Sequence, residues 1–286
     1  MSESSIRSII VVGAGTMGHG IAQTAAAAGC DVALCDVSEE VAGAGMEQIR
    51  ASLGRRVTKG KLDVAVAEET LARIRTGTDP AALIEGVDLV VEAIPERIEL
   101  KRDLFARLDA VAAQGTILAT NTSSLPVTEI AAATERADRV AGAHFFNPVP
   151  AMPLLELVRA DETSDATLAA LRSFGELLGK EVIVVKDTPG FATSRLGVIL
   201  GLEAMRMLEQ GVASAEDIDR ALELGYRHPM GPLKLTDLVG LDVRLNIAEH
   251  LHKELGGDQY EPPEILRRLV AEGKLGRKTG EGFHTW

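Results

Sequence analysis

The sequence predicts an α/β fold, a doubly wound and mostly parallel sheet, followed by an all-α C-terminal domain. Three observations lead to this prediction. They are a glycine-rich turn near the start, an alternation of β-rich apolar runs with amphipathic segments up to residue 186, and helical spacing from residue 189 onward. At 286 residues, of which 46 % are hydrophobic, the chain is long enough for two domains with cores of their own. We place these domains at 1–186, with a helical insertion near 39–75, and at 187–286.

The first element is a strand, a tight turn and a helix. An apolar run at 9–12 leads into the turn, and small residues at 21–28 follow it with helical spacing. In such a turn the glycines let the main chain approach a pyrophosphate, and the helix N-terminus offers N–H donors to that anion. This Rossmann-type pattern predicts a dinucleotide site formed by Gly13, Ala14, Gly15, Thr16, Met17 and Gly18.

An acidic residue, Asp36, ends the second predicted strand at 32–36, about 20 residues after the middle glycine of the turn. A carboxylate at this place accepts hydrogen bonds from the adenosine ribose and repels a 2′-phosphate. No arginine follows Asp36 closely, so NAD is favoured over NADP as the cofactor. The alternative is that Asp36 is an ordinary helix N-cap or turn acid.

The later elements continue the alternation. Residues 39–74 have helical spacing with a break near Gly60, and an amphipathic helix is expected at 98–108. Further strands are expected at 87–94, 116–120, 140–146, 154–158 and 181–185. In the all-α domain, one helix carries the apolar series Leu196, Ile199, Leu200, Leu202, Met205 and Leu208. That surface has to be covered by the first domain or by a second copy, and we favour a homodimer.

Composition narrows the function classes. A net charge of −12 argues against nonspecific nucleic-acid binding, which needs clustered cations. No uncharged run is long enough to span a bilayer, so a cytoplasmic protein without a membrane partner is expected. Cys30 and Cys35 have no His or Cys companions at metal-ligand spacing, which predicts core thiols and no metal site. The stretch 50–61 has five cations and no acid, so it is either a solvated helix face or a site for an anionic ligand.

A histidine and a glutamate, His144 and Glu156, each interrupt an apolar segment. Leucines and a valine surround Glu156, and burying its charge alone would cost several kcal/mol, so it faces solvent or has a partner. His144 is the nearest plausible partner, and an imidazole beside a sequestered carboxylate makes a base. A hydrogen-bonded core histidine is the alternative.

Six ordered motifs together resemble the 3-hydroxyacyl-CoA dehydrogenases, particularly the short bacterial 3-hydroxybutyryl-CoA type. They are Gly13-Ala-Gly-Thr-Met-Gly18, Val91-Glu-Ala-Ile-Pro-Glu96, Thr120-Asn-Thr-Ser-Ser124, His144-Phe-Phe-Asn-Pro148, Asp187-Thr-Pro-Gly-Phe191 and His228-Pro-Met-Gly-Pro232. The resemblance covers nearly the whole chain. It implies NAD-dependent oxidation of an L-3-hydroxyacyl-CoA to the 3-ketoacyl-CoA, or the reverse reduction.

The resemblance also implies roles for individual residues. His144 matches the catalytic base, and Glu156 matches the acid that orients it. Asn147 matches an amide beside the nicotinamide and the thioester, and Ser123 a side chain that touches cofactor and substrate. Two further positions, Glu96 and Lys101, match contacts to the nicotinamide ribose and pyrophosphate region, and Ser52 and Lys59 match CoA contacts. Without the resemblance, Asn147 and Ser123 would be interpreted as turn and loop caps, and Glu96 and Lys101 as surface charges.

One residue departs from the family pattern. Ser194 stands where the family usually has an asparagine that hydrogen-bonds the substrate, and a hydroxyl is shorter and offers one donor instead of two. The departure bears on acyl-chain specificity more than on reaction class. Two alternatives stay open: a dehydrogenase of the same fold that acts on a sugar acid such as L-gulonate, and an NAD-binding protein without activity.

Overall fold

The computed structural model describes residues 6–286. The chain divides into two compact units, a first unit that ends at Asp187 and a second unit, Thr188–Trp286. No helix of residues 6–286 is long and apolar enough to cross a membrane.

The first unit is built on one eight-stranded sheet, with strand order β3-β2-β1-β4-β5-β6-β7-β8. Its strands are β1 (Ser8–Val12), β2 (Asp31–Cys35), β3 (Ile74–Gly77), β4 (Leu89–Glu92), β5 (Ile117–Thr120), β6 (Val140–Phe145), β7 (Leu154–Arg159) and β8 (Glu181–Lys186). The pairings from β3 through β6 are parallel, β7 runs antiparallel to β6, and β8 is parallel to β7. The carboxyl ends of β1, β2, β4, β5 and β6 therefore meet at one edge of the sheet.

Helices connect these strands, as expected for a parallel sheet whose faces are both covered. They are α1 (Thr16–Ala27), α2 (Glu39–Thr58), α3 (Val64–Ala72), α4 (Ile98–Asp109), α5 (Val127–Ala131) and α6 (Asp165–Leu177). The central strands are apolar and buried along their length, and Ile21 of α1 packs in the same core as Val11 and Val91.

The prediction of a helical insertion over 39–75 was wrong at its end. The two helices α2 and α3 are present, but the chain leaves α3 at Arg73 and forms the edge strand β3. Ile74 pairs with Val32 of β2, and its side chain is buried. A strand this short is stabilised by its neighbour in the sheet rather than by its own sequence, so local helical spacing could not reveal it.

The second unit is helical and has its own core. It contains α7 (Thr193–Glu209), α8 (Ala215–Tyr226), α9 (Pro232–Val239), α10 (Leu241–Leu255) and α11 (Glu264–Ala271). Buried acids organise its loops. The Asp219 carboxylate accepts hydrogen bonds from the Leu233 and Lys234 amides in the first turn of α9, at 2.8 and 3.0 Å. Asp237 accepts from the Phe283 and His284 amides at 2.8 Å, which fixes the last residues against α9.

Candidate active site

The glycine turn between β1 and α1 has the geometry that a dinucleotide requires. Gly13 has φ +102°, and a Cβ there would lie 2.5 Å from the Ala93 carbonyl oxygen. A Cβ at Gly18 would overlap the Gly13 carbonyl, so both glycines serve the fold itself. A Cβ at Gly15 would meet no protein atom within 4 Å. Gly15 therefore leaves open space beside the start of α1, where a ligand can approach the main chain.

The electrostatics of this turn suit an anion. Helix α1 begins with no side-chain cap and no acidic residue in its first turn, so no side chain of that turn neutralises its N–H donors. Asp36 lies beside the turn, where its carboxylate accepts hydrogen bonds from the Ala14 amide at 2.6 Å and the Val37 amide at 2.7 Å. These residues fit NAD, with the helix N-terminus toward the pyrophosphate and Asp36 toward an unphosphorylated ribose.

Three charged side chains, Glu92, Glu96 and Lys101, form a cluster where β4 ends. The Lys101 ammonium lies 2.6 Å from Oε1 of Glu92 and 3.2 Å from Oε2 of Glu96. Glu92 and Lys101 are buried, with side chains 0 % and 1 % exposed. Burial raises the pKa of Glu92, while Lys101 and a 2.6 Å hydrogen bond from the Thr120 hydroxyl act in the opposite direction. Lys101 is therefore committed to two carboxylates, and its expected contact with the cofactor stays a prediction.

Glu96 ties the end of β4 to the loop that follows β5. Its carboxylate accepts hydrogen bonds from the Thr122 hydroxyl at 2.6 Å, the Ser123 amide at 2.9 Å and the Ser123 hydroxyl at 3.2 Å. Burial opposes the charge of Glu96, but the Lys101 ammonium and these hydrogen bonds outweigh it and lower the pKa of this carboxyl. The structure thus brings together Glu96, Lys101 and Ser123, and the ionised Glu96 holds Ser123 in place.

His144 and Glu156 are paired across two strands. They lie directly opposite each other in the antiparallel register of β6 and β7, and Nδ1 of His144 is 2.8 Å from Oε2 of Glu156. Glu156 is fully buried, and His144 is 7 % exposed. The Phe146 ring lies against the imidazole, with 4.4 Å between ring centroids. The backbone ladder fixes both side chains on one face of the sheet, close to the carboxyl end of β6.

The residues after β5 and β6 meet at the same edge. The Asn121 side chain accepts a hydrogen bond at 2.9 Å from the Phe145 amide, which joins the ends of the two strands. Asn147, two residues after the end of β6, is exposed. Asn121 and Glu92 were not singled out from the sequence. The sequence did contain a signal for Glu92, because this acid ends a strand that is otherwise apolar. Glu156 likewise lies within an apolar strand.

Ser52 lies on α2 and Lys59 directly follows that helix, both within the basic stretch 50–61. They are two helical turns apart and therefore face the same way, Ser52 half-buried and Lys59 exposed just after the last turn. Arg55 and Arg56 lie between them, and within residues 6–286 none of these three cations forms an ion pair. Ser194 belongs to the second unit, where it is half-buried in the first turn of α7.

Comparison with known families decides the assignment. The model described as "3-hydroxyacyl-CoA dehydrogenase, NAD binding domain" matches residues 8–188, and that described as "3-hydroxyacyl-CoA dehydrogenase, C-terminal domain" matches residues 190–286. This chain belongs to the 3-hydroxyacyl-CoA dehydrogenase family. The dehydrogenase is thus an oxidoreductase with an NAD-binding domain, and the predicted family, fold class and cofactor are confirmed.

Individual relatives agree along nearly the full length of the dehydrogenase. The mitochondrial hydroxyacyl-coenzyme A dehydrogenase of Homo sapiens is 46 % identical, over 98 % of this chain and 91 % of the relative. A probable 3-hydroxybutyryl-CoA dehydrogenase of Bacillus subtilis (strain 168) is 44 % identical, over 98 % of each chain. The crystal structure of (S)-3-hydroxybutyryl-CoA dehydrogenase PaaH1 from Ralstonia eutropha superposes with a TM-score of 0.94, at 43 % identity and over 99 % of each chain.

Proposed function

We propose that this dehydrogenase interconverts L-3-hydroxyacyl-CoA and 3-ketoacyl-CoA thioesters, with 3-hydroxybutyryl-CoA among its substrates. The observation that carries the proposal is the buried contact between His144 and Glu156, at the sheet edge where the glycine turn also lies. The glycine turn and Asp36 would hold NAD, which would supply hydride transfer to and from C3 of the substrate. The four-carbon substrate is supported by the names of relatives that are more than 40 % identical to this chain.

In this mechanism His144 moves the proton. The Glu156 carboxylate accepts a hydrogen bond from Nδ1–H, which fixes the tautomer and directs the lone pair of Nε2 toward the substrate. Nε2 takes the hydroxyl proton during oxidation and returns it during reduction. The imidazolium that forms is stabilised by Glu156, and the low exposure of both groups strengthens this attraction.

The neighbouring residues position the reactants. Ser123, held by Glu96, contacts substrate and cofactor, and the Asn147 amide lies beside the thioester end of the substrate. The basic end of α2 with Ser52 and Lys59 binds the CoA phosphates, and this is supported by Arg55, Arg56 and Lys59, which form no ion pair among residues 6–286, whereas Arg50 pairs with Glu47. Ser194 contacts the acyl group in place of the usual asparagine.

We also propose that two copies associate through the second unit. Apolar side chains remain exposed at helical spacing on α7 (Leu196 64 %, Leu200 42 %) and on α9 (Leu235 38 %, Leu238 41 %), and these helices pack against each other. A second copy would cover this surface. Analytical ultracentrifugation tests it: we expect a dimer for the native chain and a monomer for Leu235→Glu. A cytoplasmic location is proposed as well, supported by the two unpaired cysteines.

Assays of NADH formation test the activity. We expect turnover of 3-hydroxybutyryl-CoA and none of L-gulonate, and the opposite result would move the enzyme to the sugar-acid class. His144→Ala is expected to lower kcat by about 10²–10⁴-fold, the usual contribution of a general base. His250→Ala, a histidine of α10 in the other unit, is the control and keeps full activity. If His144→Ala stayed as active as the native enzyme, the proposed mechanism would be wrong.

A further inference from the structure

The loop between β6 and β7 carries Asn147 and is exposed along almost its whole length. Of residues 147–153, only Val149 is buried. The Pro148 carbonyl accepts hydrogen bonds from the Ala151 and Met152 amides, at 2.9 and 3.0 Å, which gives the loop one tight turn. A loop that buries a single side chain depends on further hydrogen bonds to keep one conformation.

A buried lysine supplies those hydrogen bonds. Lys180 lies between α6 and β8 and is 7 % exposed. Its ammonium donates to the Val149 carbonyl at 2.5 Å and to the Met152 carbonyl at 2.7 Å. No acid among residues 6–286 forms an ion pair with Lys180, and burial lowers the pKa of its ammonium. The two charge-assisted hydrogen bonds therefore have to offset the desolvation of this lysine.

Helix α1 lies on the other side of the loop. A Cβ on Gly20 would be 3.0 Å from Cβ and 3.1 Å from Cγ2 of Val149, so the two segments are in close contact. Val149 also belongs to the same apolar core as Ile21 of α1. This helix begins at the glycine turn, where its N-terminus fits a dinucleotide. Lys180 thus holds the loop in contact with the helix that fits the cofactor.

We propose that Lys180 is a positioning residue for the dehydrogenase reaction, which holds the loop 147–152 against α1 and so places the Asn147 amide beside the reacting atoms. This inference rests on the proposed function, in which Asn147 lies beside the thioester end of the substrate. His144 needs no such support, because the ladder of β6 and β7 fixes it. Asn147 lies beyond the last pair of that ladder, so its position depends on the loop.

Hydrogen exchange of the protein without cofactor tests the loop itself. Lys180→Met removes the donor and keeps an apolar side chain of similar length. We expect the Ala151 and Met152 amides to exchange about 10–100-fold faster, the range of one or two charge-assisted hydrogen bonds. Thr116→Val is the matched control, because the buried Thr116 hydroxyl donates to the Val87 carbonyl at 2.7 Å, before the start of β5 and away from the carboxyl ends of the strands. It should leave exchange in the loop unchanged.

Turnover of 3-hydroxybutyryl-CoA tests the positioning role. Lys180→Met is expected to lower kcat by about 10–100-fold, since a displacement of about 1 Å can cost this much. KM for NAD should stay within about two-fold, because the glycine turn and Asp36 are unchanged. When Asn147→Ala is already present, Lys180→Met should lower kcat by less than about three-fold further, because both changes act on the same contact. Thr116→Val should keep kcat in both backgrounds.

A second variant covers the case in which Lys180→Met does not fold. Gly20→Ala keeps the lysine, but its methyl group would displace Val149 by a few tenths of an ångström. We expect a smaller decrease in kcat, about 3–10-fold, which is again lost when Asn147→Ala is present.

Three results would overturn the inference. Exchange in the loop could be unchanged in Lys180→Met, or both variants could keep kcat within about two-fold. The decrease in kcat could also be the same with and without Asn147→Ala, which is the result of a purely structural role.

The native enzyme separates this inference from the proposed function. If it oxidises 3-hydroxybutyryl-CoA and the variants give one of these three results, only the inference fails. If it turns over no 3-hydroxyacyl-CoA, the proposed function fails and the positioning role fails with it.

Discussion

The two units bury some of their charged side chains in opposite ways. In the first unit the Lys101 ammonium contacts Glu92 and Glu96, and the buried Glu156 carboxylate contacts His144. In the second unit Arg244 is buried and forms no ion pair with any acid among residues 6–286. A charge that is already compensated fixes the shape of a site, whereas an uncompensated charge costs stability. The two units therefore differ in whether these buried charges have a counter-charge within their own unit.

The largest expected effect is on kcat, and it follows from a change in the pair of His144 and Glu156. Glu156→Gln is expected to lower kcat by about 10³–10⁴-fold, because an amide can hold the imidazole in the wrong tautomer and cannot stabilise the imidazolium. The loss should be equal for short and long acyl groups, and circular dichroism should be unchanged. A decrease of less than about ten-fold would show that the orienting acid lies elsewhere.

The next effect concerns stability. Lys101→Met is expected to lower the free energy of unfolding by about 3–5 kcal/mol at pH 7, because Glu92 is left as an uncompensated buried charge. Adding Glu92→Gln should restore part of the loss, as measured by urea denaturation.

The pH dependence of that variant has a definite sign. Burial already raises the pKa of Glu92, and removing Lys101 raises it further, so the folded variant holds a proton more tightly than the unfolded chain. The stability of Lys101→Met is then greatest below the ordinary pKa of a glutamate, and it is lost as the pH rises through the pKa of Glu92 in the folded variant. If the loss of stability of Lys101→Met relative to the native protein became larger as the pH fell, this account would be contradicted.

Arg244→Met is expected to act in the opposite direction to Lys101→Met. Removing an unpaired buried charge should stabilise the apo protein, with an upper limit of about 3 kcal/mol from the lowered pKa of Arg244. Because the pKa of Arg244 is lowered to about 10, its charge destabilises the native protein fully below about pH 10 and less above it. The free energies of unfolding of the native protein and of Arg244→Met should therefore become similar in strong base. Arg268→Met, at an exposed arginine of α11, should change stability little. Destabilisation by Arg244→Met would remove the contrast between the units.

The smallest effect is expected at Ser194. Ser194→Asn restores a second donor and should change KM for 3-hydroxybutyryl-CoA by about 2–10-fold, the range of one ordinary hydrogen bond. kcat should stay within about two-fold, since the first unit holds the base. A large change in kcat with constant KM would place Ser194 in the chemistry rather than in substrate binding.

Much of the first unit could be predicted from the sequence because its signals are local. The glycine turn and Asp36 follow from spacing, and the partnership of His144 with Glu156 follows from two polar residues in neighbouring apolar runs. Strand β3 could not be found in this way, because its pairing with β2 depends on contacts far apart in sequence.

The sequence did not predict which buried charges have a charged partner. Lys101 has the helical spacing of a surface residue, and only the fold shows that it lies between Glu92 and Glu96. Arg244 follows Leu241, Asp242 and Val243 like any residue of an amphipathic helix, and its burial depends on glycines more than forty positions earlier. Sequence periodicity describes one helix at a time, whereas an uncompensated charge is a property of the packed unit.

The pairing of His144 with Glu156 through a strand ladder has a practical consequence. No mobile loop has to close to assemble this pair, since it comes into being when β6 and β7 align. Loss of turnover on heating should therefore coincide with melting of that part of the sheet. In variants made for higher thermal stability, the enzymatic rate then reports directly whether β6 and β7 are correctly paired.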